Sequence, residues 1–159
     1  MIDVILTGHT KLIEYGVKLI ADLSDEQMIL QPHPTINHPA WIMSHLNAYL
    51  PIMQHLMKGE SFPDPKDHTF GMQSKPQQEA SLYASRTELS RTFQEGNEAA
   101  AALLKELGEE ALNQPVQLQR WQTGMPVSGM ALGYIMLAHQ GIHLGQISAW
   151  RRACELPAV

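Results

Sequence analysis

This sequence is poor in cysteine and in charge. Its 159 residues include one cysteine, and Asp, Glu, Lys and Arg together make up 17%, below the roughly 25% of typical chains. One cysteine excludes both an intrachain disulfide framework and a zinc site built from cysteines. The formal charge of −5 disfavours a general affinity for nucleic-acid phosphates. We therefore predict a cytoplasmic protein without a nucleic-acid partner.

We predict neither a signal peptide nor a membrane anchor. The N-terminus lacks a basic region and a small-residue cleavage site. Residues 129–150 carry no Asp, Glu, Lys or Arg and are long enough to span a bilayer. However, the two histidines and two glutamines in this segment would be costly in hydrocarbon. We interpret it as a central helix buried inside a helical bundle, with membrane insertion as the alternative.

The hydrophobic pattern predicts four long helices. Apolar residues recur at three- and four-residue intervals over residues 3–23, 37–59, 85–108 and 128–154. Residues typical of helix boundaries stand at several of these ends, namely Asn37, Gly59, Ser85, Gly108 and Ser128. We therefore predict an all-α four-helix bundle that forms a single domain over residues 1–159.

Two local features refine this bundle. Pro51 lies inside the second helix and should kink it, because its ring removes a hydrogen bond. The 26 residues from Gly59 to Ala84 connect the second and third helices with little periodicity. A connection this long predicts a crossover between parallel helices, and it is often functional. It could also cover a site.

Histidine is the residue in excess, with eight copies. His139 and His143 are four residues apart on the fourth helix, so both rings leave the same face. His45 lies on the apolar face of the second helix, between Trp41 and Tyr49. Three neutral imidazoles with an open fourth position form the catalytic type of metal site. Hydrogen-bonded core histidines are the alternative interpretation.

Four other side chains could lie in or near such a site. Trp41 could form a wall of its cavity, and Tyr49 could contact substrate or donate a proton. Gln146 lies three residues after His143 and could support that ring. His9 lies on the apolar stripe of the first helix and could line the same cavity. For each of the four, core packing or a structural hydrogen bond is the alternative role.

Two motifs resemble a known family. Residues 38–46 place Trp41 four residues before His45, and residues 138–147 contain His-x-x-x-His followed by x-Gly-Gln. In this order they resemble the second- and fourth-helix motifs of the DinB/YfiT-like superfamily of four-helix-bundle metalloproteins. Residues 74–76 and 81–89 also resemble the long connection in one branch of that superfamily.

The resemblance implies a divalent metal, nickel or zinc, held by His45, His139 and His143. It also implies a homodimer, which fits the apolar surface that a charge-poor chain with nine methionines could expose. The sequence departs from the family in one place. Many members carry an arginine beside the last ligand, whereas Ile142 and Leu144 flank His143 here. An arginine that could meet an anionic substrate is therefore missing from this helix.

The resemblance also implies an activity. Characterised relatives include transferases and isomerases that use a low-molecular-weight thiol. It therefore implies a metal-dependent enzyme that acts on a small-molecule substrate with such a thiol. Metal-assisted hydrolysis is one alternative, and a stress-response bundle that binds metal or a small ligand without turnover is another. The sequence assigns no general base, because no Asp or Glu lies beside the three histidines.

Overall fold

The structure is a computed structural model that describes residues 1–159, and its regular secondary structure is helical throughout. The eight α-helices in chain order are α1 (Ile2–Ile20), α2 (Asp25–Met28), α3 (Pro39–Ala48), α4 (Leu50–Lys58), α5 (Arg86–Leu107), α6 (Gln119–Gln122), α7 (Ser128–Gly133) and α8 (Gln140–Ala153). A π-helical segment, Tyr134–His139, joins α7 to α8. The predicted all-α class is confirmed, and the only β-type pairing is an isolated bridge between Pro115 and Val127.

Several helix boundaries follow directly from the sequence. The predicted second helix divides at Tyr49 into α3 and α4, which is the break expected from Pro51. Gly59 ends α4 with a φ of 67°, a left-handed conformation that glycine adopts without steric cost. Ser85 begins α5 by accepting a hydrogen bond from the backbone N–H of Glu88. These three positions confirm the corresponding predictions.

Two predicted helix caps are wrong. His38, not Asn37, caps α3, because its Nδ1 accepts a hydrogen bond from the backbone N–H of Trp41. Ser128 lies inside α7 and donates its hydroxyl to the carbonyl of Ala111. Its side chain therefore joins α7 to the preceding connection.

The core consists of two apolar clusters that meet near the middle of the molecule. α1 and α3 each pack against both α5 and α8. Met53, Leu104 and Leu132 belong to one cluster, and Phe93 and Trp150 belong to the other. Burial of this apolar surface is the main force that holds such helices together.

The uncharged fourth helix is not buried on all sides. Met130, Tyr134 and Ile142 are 55%, 46% and 56% exposed. The prediction of a fully central helix is therefore wrong in this respect, because α1 and α3 cover α8 and leave a third side open. None of the helices has the length and apolar character needed to cross a membrane.

A buried arginine fixes the end of α8 against the end of α1. Arg151 is 2% exposed and donates to both carboxylate oxygens of Asp22 at 2.6 and 2.8 Å. Its guanidinium also donates to the carbonyls of Leu19 at 2.9 Å and of Pro157 at 2.9 and 3.0 Å. These charge-assisted bonds join α8, the end of α1 and the C-terminal residues.

Candidate metal centre

Three histidine rings from separate parts of the chain meet between the two core clusters. His45 lies on α3, His139 ends the π-helical segment, and His143 lies on α8. Their centroids are 4.5 to 5.0 Å apart, and one nitrogen from each lies within 4.8 Å of the others. His45 and His139 are buried and His143 is partly buried. No other group of three or more His, Cys, Asp or Glu side chains in the structure is arranged to hold a metal ion.

Hydrogen bonds at the outer nitrogens set the orientation of two of these rings. His45 Nδ1 lies 2.6 Å from the carbonyl oxygen of Phe70, and His143 Nδ1 lies 3.2 Å from Oε1 of Gln146. Because both oxygens are acceptors, each Nδ1 carries the proton and each Nε2 keeps a free electron pair. Asn37 donates to the same Gln146 oxygen at 3.2 Å, which holds this amide in place. Such outer contacts are typical of histidines that bind metals.

The inner nitrogens are arranged to receive a cation. Nε2 of His45 and Nε2 of His139 are 2.9 Å apart. Two nitrogens that share one ion at about 2.0–2.1 Å can be at most about 4.2 Å apart, so this pair is close enough. The buried Nδ1 of His139 has no hydrogen-bond partner. Three neutral imidazole nitrogens that lie within 4.8 Å of one another form a donor set that fits a divalent metal.

Burial keeps the three rings neutral, which is the state that binds metal. Burial, together with the neighbouring His143 and His45, lowers the pKa of His139 to about 3. Burial and, to a smaller extent, His45 lower the pKa of His143 to about 4, and the bond to Gln146 opposes this shift. The pKa of His45 is lowered by burial as well, although its bond to Phe70 opposes the shift. Because the rings are already neutral, metal binding at pH 7 would not have to compete with imidazolium formation.

One face of α3 holds the long connection, residues 59–85, against the site. His38 Nε2 lies 3.0 Å from the carbonyl of Gln77, and Trp41 Nε1 donates to the Ser74 hydroxyl at 3.0 Å. His45 completes the series through its contact with Phe70. The Trp41 ring also stacks on the His45 ring at 5.0 Å. The connection therefore orients His45 and does not merely join two helices.

A cavity of about 400 Å³ opens onto the three histidines. Four aromatic side chains line it, namely Trp41, Tyr49, Trp121 and Tyr134, together with Met72 and Met125. Arg120 is the only charged residue in the lining. Its guanidinium binds both oxygens of Asp64, each at 2.6 Å.

Five of these lining residues were not predicted from the sequence. Arg120, Trp121 and Met125 lie in the aperiodic stretch between the third and fourth predicted helices, and Met72 lies in the long connection. Tyr134 lies on the fourth helix at a position without a motif. The adjacent Arg-Trp pair in a loop was the one available signal, because large aromatic side chains usually need a partner surface.

The structure places the four predicted accessory residues differently. Trp41 and Tyr49 line the cavity, and Gln146 contacts His143 from behind. His9 does not line the cavity. It is fully buried, and its ring nitrogens lie 3.2 Å from the carbonyl of Met136 and 3.4 Å from the carbonyl of Asn97. Because Met136 lies in the π-helical segment, His9 serves that segment rather than the site.

Comparison with known proteins gave one match. A family model described as the DinB superfamily matches residues 13–147. This range includes α3, the long connection, the π-helical segment and all three histidines. Neither the curated proteins nor the solved structures gave a match.

Proposed function

Because this chain belongs to the DinB superfamily, we propose that it is a divalent-metal-dependent enzyme that acts on a small molecule. His45, His139 and His143 would hold the ion, and nickel or zinc fits three neutral imidazoles. The observation that carries the proposal is a cavity of about 400 Å³ that opens onto these rings. A purely structural metal site would be closed by a fourth protein ligand.

We also propose how the helices are arranged and how many copies of the chain associate. α1, α3 with α4, α5, and α7 with α8 would form the four members of a four-helix bundle, with the long connection as its crossover. The mutual packing of α1, α3, α5 and α8 supports this arrangement. A single domain, a cytoplasmic location and a homodimer belong to the same proposal. The exposed apolar residues Met130, Tyr134 and Ile142 support the homodimer.

The protein's own side chains would prepare the site for chemistry. When bound, a divalent ion lowers the pKa of a ligated thiol or water and polarises carbonyl groups. Phe70 and Gln146 keep the electron pairs of His45 and His143 directed inward. Tyr49 is 6% exposed, and burial raises the pKa of its phenol. It therefore stays protonated and can donate a hydrogen bond to negative charge that develops in the cavity.

The lining of the cavity favours thiol-dependent transfer or isomerisation over hydrolysis. No carboxylate lines the cavity, so the site has no general base of the kind that usually activates water in hydrolytic sites. A low-molecular-weight thiol can react as a thiolate and needs no separate base at the moment of attack. The apolar and aromatic lining also suits an organic electrophile. Metal-assisted hydrolysis is therefore the second candidate.

Metal analysis of the purified protein tests the site. We expect about one equivalent of nickel or zinc in the wild type and a large loss in His139→Ala. His55→Ala is the matched control, because His55 is exposed and pairs only with Glu60. Equal metal content in wild type and His139→Ala would refute the three-histidine site. Turnover with a panel of thiols and electrophiles would then separate an enzyme from a protein that only binds metal.

A further inference from the structure

Arg120 brings a positive charge to the cavity from an unexpected part of the chain. It lies on α6, in the connection between α5 and α7. Its Nε and Nη2 bind the two oxygens of Asp64, whereas its Nη1 makes no hydrogen bond. The side chain is 34% exposed. One edge of this guanidinium is therefore still available to a ligand in the cavity.

Tyr49 offers a second unused donor in the same cavity. The residue is 6% exposed, and its hydroxyl makes no hydrogen bond within the protein. The positive charge of Arg120 acts on the Tyr49 phenol, opposing the rise in its pKa that burial causes. Both donors line the same cavity.

The rest of the cavity defines the kind of ligand. Its lining is mainly aromatic and apolar, and its volume of about 400 Å³ is that of a small-molecule pocket. Asp64 occupies two of the three guanidinium nitrogens of Arg120, so one nitrogen is left, which is too few donors for the three oxygens of a phosphate monoester. A monoanion needs only one donor edge and one hydroxyl.

We infer that this cavity binds a compact organic carboxylate, whose apolar body packs among the aromatic rings and whose carboxylate is held by Arg120 and Tyr49. The inference rests on the proposed function and names the substrate class for the same site. Arg120 would thus supply the anion contact that is missing beside His143. Asp64 competes for the same guanidinium and would limit how tightly the carboxylate binds.

Because Asp64 competes with the ligand for Arg120, substitutions of these two residues should change carboxylate binding in opposite directions. Arg120→Gln removes the charge and should weaken carboxylate binding about tenfold or more, as expected for loss of a charged hydrogen bond. Tyr49→Phe should weaken it by a smaller factor while the ring packing is kept. Asp64→Asn frees the guanidinium and should strengthen binding. If the Arg120–Asp64 pair only held the loops together, both of its variants would weaken binding.

The probes are phenylacetate and its neutral amide, phenylacetamide. Binding is followed by quenching of the fluorescence of Trp41 and Trp121, which line the cavity, and by calorimetry. We expect the acid to bind at least about tenfold more tightly than the amide. Arg91→Gln is the matched control, because Arg91 is exposed, pairs with Glu95 and does not line the cavity. It should leave both affinities unchanged.

Measurements on the protein as purified and after chelator treatment separate this inference from the proposed function. A preference for the acid that survives chelation supports the Arg120–Tyr49 site, even if no metal is bound. A preference that disappears with the metal would mean that the carboxylate binds the ion, and it would overturn the inference. Equal affinity for acid and amide would also overturn it, as would weaker binding by Asp64→Asn. If Arg120→Gln does not fold, Tyr49→Phe and Asp64→Asn still decide the outcome.

Discussion

Two of the clustered histidines should make the stability of the metal-free protein depend steeply on pH. The pKa values of His139 and His143 are about 3 and about 4 in the folded chain, whereas a histidine in the unfolded chain has a pKa of about 6.5. Below pH 6.5 the unfolded state therefore binds protons that the folded state refuses. The stabilising contribution is complete above pH 6.5 and is lost as the pH falls toward the folded pKa values.

The size of the effect follows from the number of protons. One group that is protonated only in the unfolded state changes the unfolding free energy by about 1.4 kcal/mol per pH unit. Between pH 7.5 and pH 5, each of these two rings should therefore cost about 2 kcal/mol, or about 4 kcal/mol together. This is a large share of the 5–15 kcal/mol that is typical of folded proteins.

Urea unfolding in chelator, followed by tryptophan fluorescence from pH 7.5 to pH 5, measures this slope. His139→Gln keeps a polar side chain but removes one titrating group, so the change in unfolding free energy between pH 7.5 and pH 5 should be smaller by about 2 kcal/mol. His33→Gln is the control, because His33 lies on an exposed loop and should keep the wild-type slope. The same slope for wild type and His139→Gln would refute the view that burial holds this ring neutral.

Two further predictions concern side chains that support the fold and the site. Arg151→Met should lower the unfolding free energy by about 2–4 kcal/mol, because it leaves Asp22 and two backbone carbonyls without their donor. In the same urea titration, the control Arg152→Met, at an exposed position, should change the unfolding free energy by less than about 0.5 kcal/mol. Equal losses in the two variants would contradict the role of Arg151. Gln146→Ala should weaken metal binding by about 10- to 100-fold without abolishing it, as measured by competition with a chromophoric chelator. Gln94→Ala, at an exposed position, is the control. Equal metal affinities of the two variants would show that the contact of Gln146 with His143 does not matter.

Most of the helical framework could be predicted from the sequence, because the signals that mark helices and their ends are local. Hydrophobic spacing identified the long helices, and Pro51 and Gly59 marked where the second one breaks and ends. The four-residue spacing of His139 and His143 brought their rings to one face. Local signals could not place His45 beside them, because 94 residues separate His45 from His139. That step relied on the apolar face on which His45 lies and on the resemblance to a family.

The remaining features depend on tertiary contacts that no short pattern encodes. Arg120 and Trp121 reach the cavity only because Arg120 pairs with Asp64, 56 residues earlier in the chain. His38 takes the place of Asn37 as the cap of α3, and its ring is held by the carbonyl of Gln77 as well as by α3. The exposed side of the fourth helix was missed for a similar reason. A lack of charge shows that a surface is apolar but not what covers it.

The shape of the cavity wall depends on the number of residues in the π-helical segment. A wide turn of this kind holds one residue more than an α-helical turn, so deleting one residue would let the helix run regularly. The parts of the helix on either side would keep their relative orientation, because the wide turn already absorbs the rotation of about 100° that one residue adds. Residues of the wide turn itself would change place, including Tyr134 in the cavity wall and Met136, whose carbonyl contacts His9. A homologous chain one residue shorter between Ser128 and His139 could therefore keep the His-x-x-x-His motif and still have a differently shaped pocket.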